Sequence, residues 1–195
     1  MIDYEVYSLS DLLSADSSDV SKEKLIASMS SFKCNREKDM EVFLCSQSIL
    51  YDESAIGKTF LIIDKTELLN GNFIIAGFYT IANSTVNIES LSGNKKKKLL
   101  GNIPNRNKLK NAPALLIGQI GRNDAYNHDD LPGEIILQEC YSDLRRAQNI
   151  TGGRILILEC REKTYEKFYS NHGFVKLYDS PDEHGLYTVY KNFKP

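Results

Sequence analysis

The sequence has no run of about 18 apolar residues, the length a membrane-crossing helix requires, and its opening MIDYEVYSLSDLL lacks the basic and apolar regions of a secretory leader. A soluble, cytoplasmic protein without a membrane partner is the expectation. Proline is scarce, five in 195 residues, and neither a low-complexity tract nor an internal repeat is present. With 42% hydrophobic and 26% charged residues, the composition argues against intrinsic disorder of the whole. Cysteine is also sparse: Cys34, Cys45, Cys140 and Cys160 are widely spaced and form neither a metal-ligand pattern nor a redox pair, so reduced thiols and no metal site are expected.

Net charge is nearly absent too, at −2, which argues against a general nucleic-acid binder. Its distribution is less even. Between Ser90 and Asn123 stand Lys95, Lys96, Lys97, Lys98, Arg106, Lys108, Lys110 and Arg122, with no acidic residue, leaving about −10 on the remainder. The segment is either a solvated basic loop or a landing strip for an anionic partner such as RNA.

Hydrophobic periodicity divides the chain into short elements. Tyr4, Val6 and Ser8 alternate with Asp3, Glu5 and Tyr7 as a half-exposed strand, and Leu12 and Leu13 follow in a helical turn. Ser21 to Met29 predicts a short helix with Ser21 as N-cap. Apolar groups at helical spacing, through Met40, Phe43, Leu44 and Tyr51, predict a helix over Glu37 to Tyr51 with Asn35 as its cap. TFLIID (59–64) and NFIIAGFYTIA (72–82) are β-type runs joined by the turn-like KTELLNG, a hairpin by spacing. The basic segment, about residues 90–112, is punctuated by glycine and proline and admits helix only around Lys95 to Leu100. After Val175, VKLY and LYTVYKNF form an antiparallel closing pair around a turn holding Pro181 and Gly185.

The informative stretch is Ala114 to Phe174. It reads ALLIGQIG (strand), RNDAYNHDDLPG (loop), EIILQECYSDLRRAQNI (helix), RILILEC (strand) and REKTYEKFYSNHGF (helix). Two strands joined by a long amphipathic helix must lie parallel with a right-handed connection, and ligands bind at the carboxyl ends of such strands. The predicted fold class is therefore α/β: one domain over residues 1–195, a mixed sheet flanked by helices.

Two features sit at that edge. The loop places Asp129 or Asp130 at a capping position ahead of Pro132 and Gly133, and a helix start attracts phosphate through unpaired N–H groups. An ordinary capped helix is the plainer reading, since Pro132 supplies no N–H and the two acids oppose an anion. In the last helix Gly173 is a natural C′ residue with His172 in the last turn, and Tyr165 and Phe168 are spaced for the core. Tyr169 projects toward a different flank, either as a surface tyrosine or as a hydroxyl aimed between the parallel strands.

The order LLIGQIGR, loop and helix, GGRILILECRE, then YEKFYSNHGFVKL resembles the GCN5-related N-acetyltransferase (GNAT) family, whose C-terminal signature F-Y-x-x-x-G-F is matched by Phe168, Tyr169, Gly173 and Phe174. FKCNREKDMEVFL, NFIIAGFYTIA and the basic segment extend the likeness to the subfamily that includes toxin-type acetyltransferases acting on aminoacyl-tRNA. The resemblance implies a mostly antiparallel sheet whose central parallel pair splays to admit acetyl-CoA. Ile120, Gly121 and Arg122 would pair with its pantetheine arm; Asn127, His128, Leu131, Pro132 and Gly133 would receive the pyrophosphate, with Phe168 also contacting the cofactor. Tyr169 falls on the family's general-acid position. The family's loop is normally basic and glycine-rich; NHDDLPG keeps only Gly133 and adds two acids.

Acetyl transfer to an amine expels a thiolate whose thiol has a pKa of roughly 8.5, and a phenol at about 10, un-ionised at pH 7, can donate a hydrogen bond or proton to it. Glu159, at the end of ILILE, is the nearest candidate base; facing solvent without a role is its plainer reading. Cys160 has no adjacent base and reads as a small buried side chain. The acceptor would be an amine on aminoacyl-tRNA, on a protein or on a small molecule, with RNA contacts through Lys95, Lys96, Lys97, Lys98, Arg106, Lys108 and Lys110 and a homodimer admitted. The alternative is a catalytically weak GNAT-fold module that binds RNA or a protein through the basic segment.

Overall fold

β-Branched and aromatic residues form seven strands. In the computed structural model, which describes residues 1–14 and 22–193, these are β1 Tyr4–Ser8, β2 Lys58–Asp64, β3 Ile75–Asn87, β4 Asn111–Arg122, β5 Ile155–Cys160, β6 Val175–Lys176 and β7 Tyr187–Asn192. They make one mixed sheet in the order β1-β2-β3-β4-β5-β7-β6, and β4 runs parallel to β5. The helices are α1 Leu9–Ser14, α2 Lys22–Ser31, α3 Lys38–Val42, α4 Ser48–Glu53, α5 Lys65–Leu69, α6 Gly93–Leu100, α7 Gly133–Thr151 and α8 Glu162–Lys167. The α/β fold class and its parallel pair are thus as expected. The predicted cap Ser21 lies outside the described residues.

The chain divides into two compact units, Met1–Ala82 with Gly118–Asp143, and Asn83–Ile117 with Leu144–Pro195. In the first, Leu9, Leu25, Met29, Phe32, Leu44, Leu61, Ile63 and Phe78 form a buried core, and Phe32 meets Phe78 edge-on at 5.3 Å between ring centroids. Beneath it lies a polar staple. The carboxylate of Asp52, 2% exposed, accepts from the Thr59 N–H at 3.0 Å, from the Lys58 Nζ at 2.8 Å and from the Ser10 hydroxyl, joining α1, α4 and β2.

Several local readings change. The helix expected over 37–51 is broken into α3, a π-helical turn Phe43–Gln47 and α4, and Asn35 does not cap it: the residue before α3 is Glu37, while the Asn35 amide donates to Asp124. The hydroxyls of Ser46 and Ser48 donate to the Val42 and Leu44 carbonyls four residues back, serving backbone acceptors where the helical register slips. KTELLNG is not a bare turn. Asp64 accepts from the Glu67 N–H at 3.1 Å and caps α5, while Gly71, at φ +85°, supplies the left-handed exit. The hairpin of β2 and β3 is antiparallel, with a bulge where Ile62 pairs Gly77 and Ile63 pairs Ile75.

In the second unit the core is Val86, Ile88, Leu99, Leu100, Ile155, Ile157, Leu177 and Tyr190. β5 pairs antiparallel with β7 along its whole length, from Ile155–Asn192 to Cys160–Tyr187, and β6 closes on β7 as predicted. The helix within the basic segment, α6, is capped by Ser92, whose hydroxyl accepts from the Lys95 N–H at 3.3 Å. Among the described residues no helix is long and apolar enough to cross a membrane.

Candidate functional site

The loop after β4 is built from the bulge upward. The bulge in β3 turns the carbonyls of Ile75 and Ala76 outward, and Asn123 takes both: its Nδ2 donates to Ile75 and its backbone N–H to Ala76, each at 2.8 Å. Asn123 is buried, so these bonds are shielded from water and hold the chain at the exit of β4. The following residues tie to the same unit through Asp124, whose N–H donates to Lys33 O and whose carboxylate accepts from the Asn35 N–H, and through the Tyr126 hydroxyl, which donates to Asp64 at 3.1 Å. Burial, then the bond to Asp64, pushes the Tyr126 phenol well above its ordinary pKa and keeps it a donor.

Residues 127–133 close on themselves. The Asn127 side-chain oxygen accepts from the N–H groups of Asp129 at 2.7 Å and Asp130 at 3.1 Å, and the Asp130 carboxylate accepts from the Asn127 N–H at 2.9 Å. The Leu131 N–H donates to the Asn127 carbonyl. The Asp130 carboxylate therefore holds the loop rather than capping the helix, and α7 follows Pro132, whose carbonyl accepts from Ile135 and Ile136. The N–H of Gly133, the first helical residue, has no acceptor within the helix. Arg122 sits at the base of this loop and donates to the Leu131 carbonyl at 3.0 Å. His128 is exposed and Leu131 fully buried.

Glycine makes this close packing possible. A Cβ on Gly121 would lie 3.1 Å from the Phe78 ring, and one on Gly77 would lie 3.1 Å from both the Gly121 carbonyl and the Leu131 side chain. On β4, just before Ile120, the Gln119 side-chain oxygen is buried without a hydrogen-bond partner. Sequence reading missed Gly77, Gln119 and Asn123; the only signal was a glycine inside an otherwise dense β run.

The second unit carries the other candidates. β4 and β5 run parallel with Leu115 beside Leu156 and Leu116 beside Ile157, and Leu158, Glu159 and Cys160 of β5 pair with Val189, Thr188 and Tyr187 of β7. Glu159 is exposed at this end. The Cys160 thiol is buried and, chiefly by desolvation, pushed up to about 11, which rules it out as a thiolate nucleophile at neutral pH.

The expected last helix is broken. α8 stops at Lys167, Phe168 departs from helical geometry at φ −130° and ψ −66°, and Tyr169–His172 form a 3-10 turn ended by Gly173 at φ +80°. The break reverses the expected burial: Tyr165 and Phe168 are half-buried, whereas Tyr169 is 5% exposed. Tyr169 meets Phe168 edge-on at 5.1 Å and Phe174 at 5.5 Å, so the signature residues Phe168, Tyr169 and Phe174 pack as one aromatic group.

The basic segment needs one correction. Lys96 is not a surface contact: it is buried, with its Nζ directed at the carbonyls of Asn107 (3.4 Å) and Leu109 (3.3 Å). Lys95 lies 3.8 Å from Asp179, Lys110 pairs with Glu89 at 3.0 Å, and Arg106 donates to the Gly101 carbonyl. Lys97, Lys98 and Lys108 are exposed.

No family model matches this sequence and no curated protein does. Solved structures do. A tyrosine-to-phenylalanine mutant of the toxin AtaT, bound to the C-terminus of the antitoxin AtaR and acetyl-CoA, is similar at a TM-score of 0.65 and 15% identity, over 96% of this chain and 93% of that one. AtaT complexed with acetyl-methionyl-tRNAfMet is similar at 0.65 and 18%, over 95% and 94%. A tyrosine-to-phenylalanine mutant of KacT is similar at 0.68 and 18%, over 96% and 94%. The chain therefore has the GNAT fold, in the form seen in the toxin structures of AtaT and KacT.

Proposed function

We propose that this protein is an N-acetyltransferase that takes its acyl group from acetyl-CoA and delivers it to an amine. The observation that carries the reading is the buried side-chain oxygen of Gln119 on β4, which has no hydrogen-bond partner and stands next to Ile120 and Gly121. We assign Ile120, Gly121 and Arg122 on β4 to the pantetheine arm. The orphaned Gln119 oxygen suits that ligand, whose amides bring N–H donors to a buried acceptor.

The loop fits a pyrophosphate with fewer donors than its length suggests. The N–H groups of Asn127, Asp129, Asp130 and Leu131 are engaged within the loop, so the anion falls to the Gly133 N–H, the positive end of α7 and the Arg122 guanidinium. We also assign His128, Pro132 and Phe168 to cofactor contacts.

Bound acetyl-CoA supplies the thioester. The residues of the chain supply the proton traffic. Tyr169 gives its phenolic proton to the departing sulfur and regains one from solvent: a phenol at about 10 is protonated at pH 7 and so has the proton to give, and solvent reprotonation completes a transfer that is uphill by roughly 1.5 pKa units to a thiolate whose thiol sits at roughly 8.5. Glu159 receives the proton released by the attacking amine, directly or through one water. With the Cys160 thiol held neutral, the amine attacks the thioester itself rather than an acyl-enzyme. A lysine amine at about 10.4 is neutral in only about one molecule per thousand at pH 7, whereas an α-amino group at about 7.7 to 8.0 needs far less help. That difference favours an α-amino acceptor, such as the aminoacyl end of a charged tRNA, with Lys97, Lys98 and Lys108 meeting its phosphates.

Calorimetry with acetyl-CoA tests the reading. Binding is expected, and Gly133→Val should weaken it by about tenfold or more by blocking the helix start. No heat at high ligand overturns it. The self-closed loop then favours a second reading, a GNAT-fold module that has lost its cofactor and binds RNA through the basic segment.

A further inference from the structure

Lys176 lies in a setting that ligand ammonium groups seek. Its Nζ stands 3.7 Å from the centre of the Tyr187 ring and 5.2 Å from that of Tyr165, and it pairs with Glu162 at 2.7 Å. Two aromatic faces and one carboxylate are the elements that recognise organic ammonium ions. The position is equally telling. Tyr187 is the β7 partner of Cys160, the last residue of β5, so the group stands at the carboxyl end of a parallel strand, where α/β folds place ligands. Lys176 is a removable occupant: it comes from β6, a two-residue strand at the end of the sheet, its stem is flexible, and its partner Glu162 is 55% exposed, so the ion pair holds it weakly.

We propose that Tyr165, Tyr187 and Glu162 form a binding cradle for an organic ammonium ion, filled in the unliganded chain by the protein's own Lys176. The lysine is a tethered competitor that a ligand displaces by swinging its side chain outward. The identity of the ligand rests on the acyltransferase reading: it is the amine acceptor in its ammonium form, docked before it loses a proton. The Glu162 carboxylate raises the pKa of Lys176, so this lysine stays charged and is not itself the acetylated amine.

The test titrates tetramethylammonium against the full chain without acetyl-CoA, following the probe's methyl resonance, with tert-butanol as the neutral control of similar shape. Lys176→Met keeps the apolar stem and removes the charge; Lys176→Gln is the second variant should the first fail to fold by circular dichroism. Either should bind tetramethylammonium about tenfold more tightly than the native chain and leave tert-butanol unbound, and adding Tyr187→Leu or Glu162→Gln should lower that affinity by about tenfold. Equal binding by the native chain and the Lys176 variants overturns the proposal, as does binding indifferent to Tyr187 and Glu162. Because no acyl donor is present, failure here leaves the acetyl-CoA titration standing, and failure there leaves the cradle standing.

Discussion

The loop of residues 123–133 and the turn of residues 168–174 hold their proposed functional groups by opposite means. In the loop, directed hydrogen bonds fix almost every backbone group, from Asn123 on the bulge to Asp130 on Asn127. In the turn, the Tyr169 ring packs against Phe168 and Phe174. A loop satisfied by its own bonds keeps its shape but has few donors left for an anion, so its affinity rests on the helix start and Arg122. Replacing that tyrosine by phenylalanine keeps the ring that packs against Phe168 and Phe174 and removes the hydroxyl alone.

The sharpest break of that comparison is Tyr169→Phe. Turnover should fall by about 10- to 1000-fold with little change in acetyl-CoA affinity, because only the proton donor is removed. Steady-state kinetics beside calorimetry checks it, and an unchanged turnover number removes Tyr169 from the mechanism. The counterpart in the polar half is Asp52→Ala. It leaves the buried Thr59 N–H without its acceptor and Lys58 without its partner, and should cost about 3 kcal/mol in denaturant unfolding. A loss below about 1 kcal/mol would show that water replaces the carboxylate.

Periodicity made the elements legible, and the chain order of strand, helix and strand made the parallel pair legible. What it could not reach were the places where a short-range bond overrides a pattern. Asp64 turns KTELLNG into a helix by capping Glu67, and serine hydroxyls accompany the slip of the 37–51 helix into a π turn. The interruption at Phe168 hid the burial of Tyr169, because helical spacing carried through the break points Phe168 inward instead. The role of Asn123 depends on a bulge at Ala76, in a strand far earlier in the chain, and no local pattern announces it. Lys96 shows the same limit in charge: four consecutive lysines look alike in sequence, yet one face of α6 turns inward.

Alkaline pH probes the aromatic half more gently. The folded chain holds the Cys160 proton until about pH 11, whereas the unfolded thiol releases it near 9.0. Between those values the unfolded state binds fewer protons, so stability falls as pH rises, by at most about 3 kcal/mol from this group. Cys160→Ala should flatten the decline between pH 9 and 11 relative to the native chain. An unchanged slope would mean that the thiol is not shielded as its burial implies.

The smallest effect divides the basic segment itself. Lys97 and Lys98 are exposed on α6, while Lys96 is directed at the carbonyls of Asn107 and Leu109. If the segment meets RNA, replacing Lys97 and Lys98 by Ala should lower the salt slope of binding by about two phosphate contacts, roughly 1 kcal/mol or less for each charge at moderate salt. Lys96→Met should leave that slope alone and instead lower the stability of the second unit, since it removes the donor to two carbonyls. Affinity measured from about 50 to 200 mM salt separates the two. A slope that responds to Lys96 as strongly as to its neighbours would place that lysine on the surface when RNA binds, and binding indifferent to salt would end the RNA reading of this segment altogether.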